Sequence, residues 1–234
     1  MKKERIWELD ALRGLLILGM MIIHFIFDLR YFAQINVYTP AWFDFIGSYG
    51  HILFILLSGI CATLSVHSVK RGIIVFAAGL LVSYVTVFLD FVLHMDHLRI
   101  WFGILHLLGI CMILYPIFRG FPFWMLALLG VVFIALGLWL QTLRVSVDFL
   151  FPFGLRSQNG YAGSDYFPIF PGLGWFLIGT ACGKRVYNKK TTLFPAVNSQ
   201  FILLRMLRFI GRHSLEVYLL HQPVFVIIMI IFNK

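Results

Sequence analysis

Apolar residues run through this chain in blocks of about 20, the length that spans a membrane core as a helix, with short polar or basic breaks between them. The blocks predict seven spanning helices, at about 12–30, 41–66, 72–94, 98–118, 121–142, 168–185 and 214–232. A transmembrane barrel would instead show short alternating segments with polar inward positions. Residues 200–212 read differently. Arg205, Arg208 and Arg212 recur there at helical spacing among apolar residues, the pattern of an amphipathic helix on the inner membrane surface that holds anionic lipid. Residues 143–167 form a long outer loop rich in aromatics, suited to fold over an outer mouth as a lid.

Composition agrees with that pattern. Of 234 residues 61% are hydrophobic and 12% charged, and the mean hydropathy of +0.91 lies outside the range of soluble domains. The fold class expected is all-α, a polytopic transmembrane helix bundle of about seven spans in a single domain, residues 1–234. The apolar run after MKKER is too long for a cleavable signal, so the first span is expected to be retained.

The net charge of +9 is explained by where it falls, without a nucleic-acid partner. With the N-terminus inside, the inner segments carry Lys2, Lys3, Arg5, Arg13, Lys70, Arg71, Arg119, Lys184, Arg185, Lys189, Lys190, Arg205, Arg208 and Arg212. The outer segments carry Arg30, Arg99, Arg144, Arg156 and Lys234. This asymmetry predicts a cytoplasmic N-terminus and an outer C-terminus. Cys61, Cys111 and Cys182 stand alone in apolar segments and suggest neither a disulfide framework nor a thiolate site.

Ionisable residues inside a span are functional candidates. Counted from Leu12, His24 lies roughly 18 Å into a core of about 30 Å. Asp28 follows one turn later on the same face, where it would hold the imidazole tautomer and raise its basicity. His51 and His106, roughly 15 Å and 12 Å below the outer surface, share the layer of His24. His221 sits apart in the inner half, about 12 Å from the inner surface. Asp44, Asp90, His94, Asp96, His97 and Arg99 gather at the outer edge, with Asp148 and Asp165 in the loop beyond. His94, Asp96 and His97 read as solvated helix ends. Arg13, Lys70, Arg71, Lys184 and Arg185 form an inner basic collar. An outward polar pocket above a basic collar suits a protein that takes an anionic donor from the cytoplasm and serves an acceptor outside. Each histidine ligand of a metal would have to come from a separate helix, so no metal is expected. On these residues alone, an enzyme and a small-molecule transporter or exporter with a His/Asp-lined outer cavity are both open.

Five ordered motifs narrow the choice: LDALRGLLILGMMIIHFIFDL, FILLSGI, FGILHLLGI, DYFPIFPGLGWFLIG and IGRHSLEVYLLHQPV. Together they resemble the heparan-alpha-glucosaminide N-acetyltransferase catalytic-domain family and, more distantly, the acyltransferase type 3 proteins. The resemblance implies transfer of an acyl group, usually acetyl from acetyl-CoA, across the membrane to a hydroxyl or amine of a sugar on the outer face. It also implies that His24, in the first span after the RG motif, is the catalytic residue. Lysosomal members instead place their histidine in the first outer loop, shortly before a tryptophan. Here Tyr38, Thr39 and Pro40 precede Trp42, so that residue is not carried over.

In this reading His24, oriented by Asp28, is the general base. His106 or His51 stabilises the oxyanion or positions the acceptor, and Asp90, Arg99 and Asp165 meet the sugar. Arg13, Lys184, Arg185 and His221 face the acyl-CoA donor. The implied partners are acyl-CoA, a glycan or glycolipid acceptor and membrane lipids, in a bacterial-type cytoplasmic membrane. The small residues of GTACG and LSG read as packing positions, and GxxxG also admits a homodimer.

Overall fold

The computed structural model describes residues 5–31, 34–93, 99–157, 165–197 and 201–232. Lys2, Lys3, His94, Asp96, His97 and Lys234, weighed above, lie outside the described residues. The described helices are α1 (Trp7–Tyr31), α2 (Ala41–Leu64), α3 (Ser68–Leu93), α4 (Ile104–Phe118), α5 (Phe123–Leu140), α6 (Ile169–Val186), α7 (Ile202–Arg212) and α8 (Ser214–Phe232). Two-residue strands β1 (Arg144–Val145) and β2 (Arg156–Ser157) pair in parallel around a 3-10 turn at Asp148–Phe153.

The protein is thus all-helical apart from that short pairing. Among the described residues four helices are long and apolar enough to cross a membrane: Trp7–Arg30, Ala41–Leu64, Ser68–Val92 and Phe123–Leu140. The apolar stretches Ile104–Phe118 and Ser214–Ile228 are shorter. Helix α6 is diluted by its glycines, Thr180 and the Lys184–Arg185 end. The expected helix over 98–118 starts only at Ile104, because the chain bends at Trp101 and Phe102 and the backbone of Gly103, its N-cap, is extended. At a rise of about 1.5 Å per residue, α4 falls short of a 30 Å core.

The chain folds as two compact units. The first comprises Met1–Phe54 and Lys189–Lys234. In it α7 runs antiparallel to α1 on glycines. A Cβ on Gly14 would lie 2.0 Å from the Leu207 carbonyl oxygen, and one on Gly211 would lie 1.8 Å from that of Asp10, so neither position admits a side chain at this separation. Polar ties hold the ends. The Arg212 Nε meets Asp10 Oδ2 at 3.2 Å, and Glu8 accepts from the Thr192 hydroxyl and the Leu193 amide, both at 2.8 Å. Helix α8 packs on α1 further along, with Phe25 edge-on to Phe225. Ile202, Leu203, Met206 and Phe209 of α7 are exposed, an apolar face of the kind a membrane surface covers.

The second unit is Ile55–Asn188. Its helices pair as α3 with α4 and α5 with α6, and Leu107, Cys111, Leu126, Phe176, Leu177 and Thr180 are buried in its core. The small residues expected to pack do so. A Cβ on Gly59 would stand 2.2 Å from the Phe176 carbonyl oxygen, and one on Gly179 would stand 2.2 Å from that of Leu56. Gly183 is likewise closed off by Thr63 and Ile60. The GxxxG face therefore seats α2 of the same chain and is not free for a second copy.

Candidate functional site

Helices α1 and α8 of the first unit bring together His24, Asp28, His221 and Gln222. Asp28 and His221 are 1% and 4% exposed, so the cluster is withdrawn from solvent. The imidazoles of His24 and His221 meet edge to face, with His221 Nε2 at 3.4 Å from His24 Nδ1. His221 therefore does not belong to a separate inner layer, as counting from the helix end suggests. It lies against the predicted base.

The hydrogen-bond network assigns the tautomers. His221 Nδ1 contacts the Tyr218 carbonyl oxygen, which can only accept, so the proton sits on Nδ1 and Nε2 keeps its lone pair. That lone pair faces His24 Nδ1, which must then donate. The remaining nitrogen, His24 Nε2, is left with an available lone pair. A backbone carbonyl thus orients one histidine and that histidine orients the next, the logic of a base held by a third group.

Asp28 is not the group that orients His24. Its Oδ1 accepts from Gln222 Nε2 at 3.4 Å, while Asp28 Oδ2 and Gln222 Oε1 are buried without a partner among the described residues. Buried acceptors are rarely left unsatisfied, and those that are call for an explanation. Gln222 escaped the sequence reading, although it directly follows His221 in HQP. Arg13, half-buried on α1, makes no hydrogen bond or ion pair among the described residues.

The second unit holds His106, Asp90, Arg99, Asp165, Lys184 and Arg185. His106 is 3% exposed and both its ring nitrogens are engaged. Nδ1 accepts the Gly103 amide at 3.2 Å, so the N3 side chain reaches back to the N-cap amide at the start of α4. Nε2 faces Ser83 Oγ at 3.4 Å; that hydroxyl gives its own proton to the Ile100 carbonyl, so Nε2 carries the donated hydrogen. Phe102 stacks on the ring and Phe76 meets it edge-on. Both ring nitrogens of His106, expected at the oxyanion, thus hold the start of α4 to the backbone and to Ser83. The spacing Gly103-x-x-His106 was the available signal.

Asp90, 2% exposed, pairs with Arg99 Nε, and Thr86 Oγ1 accepts the Ile100 amide. The two residues expected to meet a sugar thus tie the segment before α4 to α3, although Asp90 Oδ1 stays buried and unpartnered among the described residues. Asp165 lies before α6, where the Phe167 amide donates to the Phe102 carbonyl and the Tyr166 hydroxyl to that of Phe151. Burial pushes the Asp165 carboxyl up to about 6 from its ordinary value. The described part of the 143–167 loop is thereby folded onto its own unit; residues 158–164, the rest of the expected lid, lie outside the described residues.

Two of the cations expected to face a donor have other partners. Lys184 Nζ donates to the Arg119 and Phe121 carbonyls, each at 2.6 Å, and so satisfies the end of α4. The Arg185 guanidinium lies 5.4 Å over the Phe123 ring. His51 sits part-buried on α2 in the first unit.

Four apolar helices of spanning length among the described residues mark an integral membrane protein, and its first unit holds a pair of imidazoles in contact, with unsatisfied acceptors on the same two helices. The chain belongs to the heparan-alpha-glucosaminide N-acetyltransferase catalytic family, whose model matches residues 5–223, nearly its whole length. Membership makes it a transferase in the general sense and bears out the resemblance carried by its five motifs. No curated protein and no solved structure matches the chain.

Proposed function

We propose that this protein moves an acyl group, in the first instance acetyl, from acyl-CoA on the cytoplasmic side to a hydroxyl or amine of a glycan or glycolipid on the outer face of a bacterial-type cytoplasmic membrane. The observation that carries the reading is the lone pair at His24 Nε2, fixed by His221 and the Tyr218 carbonyl, beside the orphaned acceptors of Asp28 and Gln222.

An acceptor hydroxyl or ammonium-derived amine brings hydrogen-bond donors and a reacting X–H bond. Asp28 Oδ2 and Gln222 Oε1 would take the neighbouring donors and orient the acceptor. His24 Nε2, the ring nitrogen whose lone pair is available, takes the proton of the attacking group. The donor supplies a thioester carbonyl, whose C–S bond breaks as the new C–O or C–N bond forms. The proton on His24 then passes to the departing thiolate, which restores the base. His221 holds the tautomer throughout. Arg13, on the same helix and without an ion pair among the described residues, is suited to an anionic part of the donor.

The test is acetyl-CoA turnover by detergent-purified full chain with a mixed pool of sugar acceptors, comparing wild type with His24→Ala. Transfer by wild type and none by the variant, at equal acetyl-CoA binding, supports the reading. A folded wild type that neither binds nor consumes acetyl-CoA overturns it.

A further inference from the structure

The unpaired cations of the second unit point to a separate site. A cavity of about 640 Å³ opens where the α2–α3 connection meets the end of α4. His67, Ser68, Lys70 and Arg119 supply its polar lining, and Ile73 and Ile74 extend it along α3. Lys70 and Arg119 make no ion pair among the described residues. Asp90, Asp148 and Asp165 are absent from the lining, so among the described residues one ammonium and one guanidinium group border the same cavity without a carboxylate in its wall. Ser68 is 8% exposed and its hydroxyl has no hydrogen-bond partner among the described residues. An unpartnered hydroxyl donor in the same wall as two cations without an ion pair among the described residues matches a tetrahedral oxyanion.

The rest of the lining says what the anion is attached to. Ile73 and Ile74 are 56% and 50% exposed, and they lead from the cavity onto the apolar outer face of α3. A small inorganic ion would make no use of that wall. A phosphate ester with an apolar or extended tail would lie along it.

We propose that His67, Ser68, Lys70 and Arg119 bind the phosphate group of an amphiphile, the headgroup of an anionic phospholipid or the nucleotide phosphates of a thioester donor. Lys184 and Arg185, engaged with backbone and ring, leave this role to Lys70 and Arg119. Assigning the phosphate to the donor rests on the acyltransferase reading; the phosphate site itself does not.

The test uses the purified full chain and two probes, 3′,5′-ADP by equilibrium binding and phosphatidylglycerol by native mass spectrometry. Lys70→Gln and Arg119→Gln alter exposed side chains, and their thermal stability is measured alongside. The expected result is binding of at least one probe by wild type. Each single variant should weaken it by about 5-fold and the double variant by more than 10-fold, while Lys70→Arg stays within about 3-fold. A loss confined to 3′,5′-ADP assigns the site to the donor, and one confined to phosphatidylglycerol assigns it to lipid; either supports the phosphate site. Binding of neither probe, or binding unchanged in folded double variant, overturns it. Acyl transfer is not read in this assay. A protein that binds through Lys70 but transfers nothing keeps this site and loses the proposed activity, and one that transfers with unchanged binding does the reverse.

Discussion

His221 presents Nε2 to His24 Nδ1 at 3.4 Å, and its own Nδ1 is turned to the Tyr218 carbonyl. The relationship ties the protonation state of one imidazole to a backbone group on another helix. A carbonyl cannot change its hydrogen-bonding sense, so the direction of the whole chain is set.

That dependence separates the roles of the two histidines. His24→Ala removes the base itself, and transfer should fall by about 10²–10⁴-fold, the usual contribution of a positioned general base. His221→Leu leaves His24 in place but frees its tautomer, and kcat should fall by about 10–100-fold with little change in KM for the donor. His221→Gln, whose amide oxygen can accept from His24 Nδ1, should recover a large part of that loss. A merely structural His221 would make Leu and Gln equally harmful, and steady-state kinetics on the three variants decides it.

Asp28→Asn keeps the size of the side chain and replaces one oxygen by a donor. If Asp28 Oδ2 receives a hydrogen from the acceptor, the exchange places donor against donor. KM for the acceptor should rise at least about 10-fold, while acetyl-CoA binding is unchanged. Gln222→Glu provides the companion measurement: it keeps an acceptor at Oε1 but sets a second carboxylate against Asp28 Oδ1, where Nε2 donated, so it should raise KM for the acceptor at least as much. An Asp28→Asn enzyme with unaltered acceptor KM would remove the carboxylate from the acceptor site.

The sequence pattern made part of this arrangement legible. Apolar runs place α1, α2, α3 and α5 to within a few residues, since a spanning helix needs only length and apolarity. A histidine and an aspartate one turn apart in α1 stand out for the same reason. What depth counting missed is the pairing of His24 with His221. A count along each helix from its own end contains nothing about inclination or about where a neighbouring helix begins. Charge counting likewise put Lys184 in a collar facing the donor, whereas its ammonium donates to the Arg119 and Phe121 carbonyls that follow α4. His106 was read as chemistry because it is ionisable and deep; the backbone amide of Gly103 and the hydroxyl of Ser83 account for it instead.

The glycine seat between α2 and α6 sets the stability of the second unit. A methyl group at Gly179 would stand 2.2 Å from the Leu56 carbonyl oxygen, and backbone cannot move aside as a flexible side chain can. Gly179→Ala should destabilise by about 1–3 kcal/mol, in the range of overpacked cores, and Gly179→Val by more. Gly19→Ala is the control, since nothing lies within 4 Å of its added carbon. Thermal melts in detergent should show a lowered midpoint for Gly179→Ala and little change for Gly19→Ala. Equal midpoints would mean that α2 and α6 have room to separate.

Asp165 gives a prediction whose sign follows from its environment. Burial raises its pKa in the folded protein to about 6, above the value of 3.8 it has when solvated. Between those two values the folded state binds the proton that the unfolded state has released. Stability therefore falls as pH rises through that interval, and above about 6 the folded protein holds a poorly solvated carboxylate at its full unfavourable effect. Asp165→Asn removes the charge at every pH. At pH 7.5 the variant should be more stable than wild type, by on the order of 1–3 kcal/mol, and the advantage should shrink as pH is lowered and vanish near pH 4. Melting temperatures of the two proteins across pH 4–8 measure this difference. A variant less stable than wild type at pH 7.5 would show that the carboxylate is held by a favourable partner, and the role of Asp165 would then be to anchor the segment before α6 through its charge.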